Sequence, residues 1–108
     1  MAVNIFKNIT ANLTTSGATV YTTPAGYSGI VLMAQLSNIT ANSVVDASMF
    51  VDKSGTKTSL VTDFAIPAND AAGVLSGKLV LEAGQAVFAS AGANASIQLT
   101  LSILESQN

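Results

Sequence analysis

Carboxylates are the main candidates for chemistry in this sequence, because its 108 residues include neither histidine nor cysteine. Glycosidase-type hydrolysis needs two carboxylates about 5–10 Å apart in a cleft. Asp46 and Asp52 are close in sequence, but six residues of extended strand cover about 20 Å. We therefore expect no catalytic carboxylate pair from these two residues.

The other acidic residues are scattered along the chain, at Asp63, Asp70, Glu82 and Glu105. We interpret them as exposed charges on turns and polar strand faces, which keep the surface hydrated. Without histidine or cysteine, Ser-His and Cys-His nucleophile systems and the common zinc sites are excluded within one chain. The sequence thus predicts a protein that is not an enzyme and that holds no metal or cofactor.

The cationic residues argue against two classes of partner. The sequence has no arginine and a net charge of -2, and its lysines are isolated, at Lys7, Lys53, Lys57 and Lys78. Phosphate contacts need a basic patch, so we expect no nucleic-acid binding. The longest strictly apolar run covers only residues 30–34, far short of a membrane span, so we expect no membrane partner.

The elements that must position these side chains are β-strands. Apolar and polar residues alternate with a period of two between short turn signals such as Pro24-Ala25-Gly26, which is typical of strands in a sandwich or barrel. Ile97, Leu99, Leu101 and Ile103 form the clearest half-buried strand. We predict an all-β fold, an antiparallel, jelly-roll-like sandwich of about eight strands. Residues 1–108 would be one domain, with residues 1–12 an extended edge strand or a swapped arm.

The composition favours assembly. Only 9% of the residues are charged, against about 25% in ordinary soluble domains. Such a surface suits burial against copies of the chain or a larger particle; the alternative is a neutral Thr- and Asn-rich surface that stays solvated. Tyr21 and Tyr27 flank the Pro-Ala-Gly turn, where they could stack on sugars or simply pack at the end of the sandwich.

Six apolar residues alternate out of phase with the predicted core, and we take them as a candidate assembly interface. A two-layer sandwich has a single buried interior, and exposed apolar patches usually mark interaction surfaces. A β-bulge would instead shift the register and return several of them to the core. The six are Val31, Met33, Phe50, Val61, Val80 and Phe88.

Two segments resemble small virion proteins of tailed bacteriophages. Residues 19–32, which contain the Pro24-Ala25-Gly26 turn between two strands, resemble an opening of the form "strand, Pro-Ala-Gly, strand". Residues 78–87, Lys-Leu-Val-Leu-Glu-Ala-Gly-Gln-Ala-Val, resemble the closing turn "Leu-x-x-Gly-x-x-Val" of the same group. The resemblance extends from about Ala11 to Glu105. It implies a β-sandwich that decorates heads or belongs to necks and tails, often as a trimer or ring, without catalytic residues.

Three functions follow as expectations. The first is a head-decoration (cement) protein in the virion, which binds the major capsid protein or other virion proteins as a homo-oligomer, with a trimer favoured at sites of local threefold symmetry. Its N-terminal arm, Ala2 to Asn12, could reach a neighbour by strand addition. The second is a neck, tail or fibre-attachment component. The third is a carbohydrate-binding sandwich, which would need Tyr21 and Tyr27 as its aromatic platform.

Overall fold

A computed structural model describes residues 3–108, which form nine β-strands and no helix. Met1 and Ala2, the start of the predicted arm, lie outside the described residues. The described part of the chain contains no helix long and apolar enough to cross a membrane. The strands are β1 (Asn4–Asn12), β2 (Ala18–Thr22), β3 (Tyr27–Asn38), β4 (Val45–Lys53), β5 (Thr56–Ile66), β6 (Ala71–Gly73), β7 (Leu79–Leu81), β8 (Ala86–Ala91) and β9 (Ile97–Gln107).

The strands form two antiparallel sheets, which confirms the predicted sandwich. The first sheet has the order β1-β9-β3-β6, with β7 also paired to β3, and the second has the order β2-β8-β4-β5. Consecutive strands mostly alternate between the two sheets, so the chain winds around the core instead of meandering through one sheet. This winding is the double Greek-key arrangement of a jelly roll.

The prediction of about eight strands differs from the nine observed because one strand position is interrupted. β6 pairs with residues 35–37 of β3, and β7 pairs with residues 29–31 of the same strand. Both short strands therefore lie along one side of β3, end to end. Counted as one interrupted strand, they leave four strand positions in each sheet.

The core lies between the sheets and corrects one predicted interface residue. Val31 is only 1% exposed and belongs to the core, so its assignment to a surface interface was wrong. The pairing of β3 with β9 shifts register between Val31 and Met33. This β-bulge adds one residue, Leu32, so that Val31 faces inward and Met33 outward although both have odd numbers.

β1 lies at the edge of the first sheet of its own chain. It pairs antiparallel with β9 from Asn4↔Ser106 to Asn12↔Gln98, and no other strand of the described structure pairs with it. The outer edge of β1 therefore presents main-chain groups that have no partner strand. The swapped-arm alternative for residues 1–12 stays a hypothesis.

Candidate functional site

The most deeply buried charged residue is Glu105, on the inward face of β9. It is 1% exposed. The Tyr21 hydroxyl donates a hydrogen bond of 2.6 Å to Glu105 Oε2, and Lys7 Nζ lies 3.1 Å from Oε1. Tyr21 belongs to the second sheet, whereas Lys7 and Glu105 belong to the first. The three side chains thus join the two sheets at one end of the sandwich.

Gly29 of β3 supplies the space for this contact. It pairs with Glu105 across the first sheet, and it is buried. A Cβ atom at this position would lie 3.0 Å from the Tyr21 hydroxyl and 3.0 Å from Thr23 Oγ1. The missing side chain therefore allows the tyrosine ring to reach the carboxylate from the opposite sheet.

The interpretation of Glu105 as an exposed, solubilising charge was wrong. The signal that could have placed it was present in the sequence, because Glu105 continues the inward series of Ile97, Leu99, Leu101 and Ile103. Neighbouring members of that series are two positions apart, which is the side-chain period of a strand. A carboxylate in phase with a core face needs a polar or charged partner, and Lys7 of β1 supplies one from a side chain that is itself 42% exposed.

Burial, and secondarily the hydrogen bond to Glu105, raises the pKa of Tyr21 well above its usual value. The phenol therefore stays protonated as the donor, and it is not poised as a base near neutral pH. Tyr21 is also only 7% exposed. It cannot stack on a sugar, so the predicted aromatic platform of Tyr21 and Tyr27 was wrong.

Asp52 and Asp46, the pair considered from the sequence, take no part in this cluster. Asp52 accepts a 2.8 Å hydrogen bond from the Gly55 amide and lies 3.6 Å from Lys57 Nζ, so its role is to shape the β4–β5 hairpin. Asp46 instead shares with Asp63 a shallow surface depression of about 220 Å³. Within residues 3–108, no group of three or more carboxylates could hold a metal ion.

The remaining predicted interface residues fall on different surfaces. Met33 and Val80 are 38% and 62% exposed and lie on the outer face of the first sheet. Phe50 and Phe88 are half-buried and lie on the outer face of the second sheet, where they pair. Val61 of β5 is half-buried and packs against the core at the edge of the second sheet, so its assignment to an exposed interface was wrong. The structure thus does not bring the six residues together on one surface.

The outer face of the second sheet is charged and partly covered. The rings of Phe50 and Phe88 are 6.2 Å apart, and Lys57 Nζ lies 4.8 Å from the centre of the Phe88 ring. The backbone of Gly17 packs on the same ring, since a Cβ there would lie 2.5 Å from it. This aromatic pair therefore already has intramolecular contacts.

The outer face of the first sheet carries a row of apolar side chains. Phe6 pairs with Leu104, Leu104 with Ile30, and Ile30 with Val80, so the row crosses all four strand positions. Phe6 is 76% exposed. Leu32 and Met33 add apolar surface beside the row at the bulge. The four residues of the row are far apart along the chain, so the sequence analysis did not identify them as one surface.

This same face has no charged side chain in the described strands. The first sheet contains only two charged residues, Lys7 and Glu105, and both point inward. Charged residues occur only in the connections at its rim, at Asp70, Lys78 and Glu82. We call the outward side of β1, β9, β3, β6 and β7 the uncharged face.

Comparisons with known proteins give structural neighbours only. No protein-family model matches the sequence, and no curated protein matches it. A chain of Bacillus endospore appendages, which form a family of disulfide-linked pili, is 14% identical with a TM-score of 0.56; the match covers 99% of this chain and 88% of that one. A chain of the acidic stable capsid of Helicobacter pylori bacteriophage KHP30 is 11% identical with a TM-score of 0.56, covering 98% and 91%. At these identities the likeness concerns the fold.

Proposed function

We propose that this chain is a structural protein of a bacteriophage virion and that it decorates the head. The observation that carries the proposal is the likeness to the capsid chain of phage KHP30, which covers nearly the full length of both chains. A chain of similar length in a capsid thus consists of little more than this sandwich. Such a unit suits a protein that binds on a shell and clamps the subunits beneath it.

The surface of the protein supports a role in assembly and not in catalysis. The uncharged face offers apolar side chains such as Phe6 and Val80 at 76% and 62% exposure. The most deeply buried carboxylate, that of Glu105, is already bound by Tyr21 and Lys7 between the sheets. We therefore propose that the chain is not an enzyme and that it acts through protein–protein contacts alone.

The proposed partners are the major capsid protein and further copies of the chain. The free outer edge of β1 can accept an extended segment of a shell protein, because edge strands present unpaired amide and carbonyl groups. On the particle, shell proteins would hold three copies of the chain at a site of local threefold symmetry, so this homotrimer is a property of the particle and not of the free protein. A protein at the neck or tail would use the same contacts. Only its location in the particle distinguishes that role from head decoration.

A filament subunit is the second candidate, favoured by the likeness to the endospore appendage chain. That neighbour belongs to a family of disulfide-linked pili, whereas this sequence contains no cysteine. Disulfide linkage between subunits is therefore closed to this chain. A filament would have to be held together by noncovalent contacts only.

Deletion of the coding gene from the phage tests the proposed function. We expect the mutant heads to assemble and package DNA but to rupture at a lower temperature than wild-type heads, and added recombinant protein to restore their stability. Quantitative mass spectrometry of separated heads and tails gives the location and copy number. Finding the protein only in tails would overturn the decoration role, and its absence from purified virions would overturn the virion role.

A further inference from the structure

We propose that the uncharged face binds the same face of a second copy of this chain, so that two sandwiches stack through their first sheets. The centre of the contact is the apolar row Phe6, Leu104, Ile30 and Val80, with Met33 beside it. This inference deepens the proposed structural role and rests on it for its biological purpose. The association itself is a property of the purified protein and is measured without a virion.

Charge is the first argument for a second copy as the occupant. A partner with a charged binding surface would lose hydration of its ions on this face and find no opposite charge in return. A second uncharged face has no charged groups whose hydration would be lost. The net charge of -2 per chain opposes self-association only weakly, because the charges lie on the second sheet, in the interior and in the connections at the rim.

The arrangement of the apolar row is the second argument. The row runs across all four strand positions of the sheet, from Phe6 at one edge to Val80 at the other. A two-fold axis in the plane of contact, either along the row or perpendicular to it through its centre, places the row of one copy on the row of the other. An isologous contact of this kind closes a dimer and leaves no unpaired copy of the surface.

The size of the face is the third argument. Four strand positions about 4.8 Å apart and nine residues at about 3.4 Å each give a projection of roughly 19 by 31 Å, or roughly 600 Å². Two such faces amount to roughly 1,200 Å², which is the lower end of specific protein–protein interfaces. The face is thus large enough for a reversible dimer without help from other surfaces.

Sedimentation velocity of the full chain over a range of concentrations tests the proposal. We expect wild-type protein to convert from monomer to dimer as its concentration rises. Phe6→Lys and Val80→Lys should each raise the dimer Kd roughly tenfold or more, because an ammonium group would be buried without a partner. Both sites are largely solvent-exposed in the monomer, so circular dichroism should show that the variants remain folded.

Val44→Lys is the matched control, because Val44 is 65% exposed and lies before β4, outside the uncharged face. We expect its dimer Kd to equal that of the wild type. A protein that stays monomeric at high concentration, a trimer at saturation, or equal weakening by Val44→Lys and Val80→Lys would each overturn the proposal. None of these results bears on whether the protein is found in virions, so the proposed function is tested separately.

Discussion

The hydroxyl of Tyr21 donates a 2.6 Å hydrogen bond to Glu105 Oε2, across 84 positions of sequence and from one sheet to the other. Lys7 completes the group from the edge strand β1 at 3.1 Å. Most buried side chains are apolar, and Glu105 is the one buried charged residue among the described residues. This polar group is therefore a specific contact between the two sheets at this end.

Replacing Tyr21 with phenylalanine removes the donor and keeps the ring. We expect Tyr21→Phe to lower the free energy of unfolding by about 1–3 kcal/mol, because the buried Glu105 carboxylate loses a hydrogen bond. Urea denaturation followed by circular dichroism measures the change. Tyr27→Phe is the control and should have little effect; equal effects of the two variants would contradict the role of Tyr21.

Removing the charge of Lys7 leaves the buried carboxylate without its cation. We expect Lys7→Met to lower the free energy of unfolding by about 1–2 kcal/mol. This is less than the loss on breaking a fully buried ion pair, because the lysine side chain is 42% exposed and its charge is partly screened. Lys53→Met is the control, because it removes the charge of an exposed lysine at the β4–β5 hairpin. A loss of stability for Lys53→Met as large as that for Lys7→Met would contradict this view.

High pH should destabilise the protein through Tyr21. Its pKa is raised in the folded state relative to the ordinary value of 10.0, so above about pH 10 the unfolded chain releases a proton that the folded chain keeps. The stabilisation from this group is therefore complete below pH 10 and is lost as pH rises, at up to about 1.4 kcal/mol per pH unit.

Unfolding measured at several pH values between 9 and 12, roughly the ionisation range of tyrosine, checks this expectation. The wild type should lose stability more steeply than Tyr21→Phe, which keeps every lysine and Tyr27. Ultraviolet titration of the folded wild type should show that Tyr21 ionises well above pH 10, the ordinary pKa of tyrosine. If the free energy of unfolding fell equally with pH in the two proteins, the result would contradict a raised pKa at Tyr21.

Alanine substitutions at Gly17 and Gly26 distinguish the cost of backbone strain from the cost of steric overlap. Its φ is +76°, and a Cβ would lie 2.5 Å from the Phe88 ring; Gly26 has a φ of +82° with nothing within 4 Å. We expect Gly26→Ala to cost about 1–2 kcal/mol from the left-handed backbone alone. Gly17→Ala should cost about 1–3 kcal/mol more from overpacking. Similar Tm values for the two variants would contradict the packing of Gly17 on Phe88.

The bulge in β3 predicts unequal effects at two nearby residues. Val31→Ala should cost about 2 kcal/mol, because it opens a cavity in the core. Met33→Ala should change stability by less than about 0.5 kcal/mol, because Met33 is 38% exposed. Thermal unfolding of the two variants measures the difference. A larger loss of stability for Met33→Ala would contradict the position of the bulge.

The sequence by itself determined the class of fold. Period-two alternation, as in Ile97 to Ile103, and turn signals such as Pro24-Ala25-Gly26 are local properties, so they predict strands and a sandwich without any tertiary contact. The same alternation continues to Glu105, so extending it to the end of the last strand would have predicted an inward-facing carboxylate. Its contact with Lys7 depends on the pairing of β1 with β9.

Only the tertiary structure decided which surface is available for assembly. The extra residue Leu32 places Val31 and Met33 on opposite faces of β3, and the sequence contains no local signal for that bulge. Phe6, Leu104, Ile30 and Val80 form one row only because β1, β9, β3 and β7 become neighbours. Strand order and register depend on packing between residues that are distant in sequence, so the uncharged face could not be predicted from alternation alone.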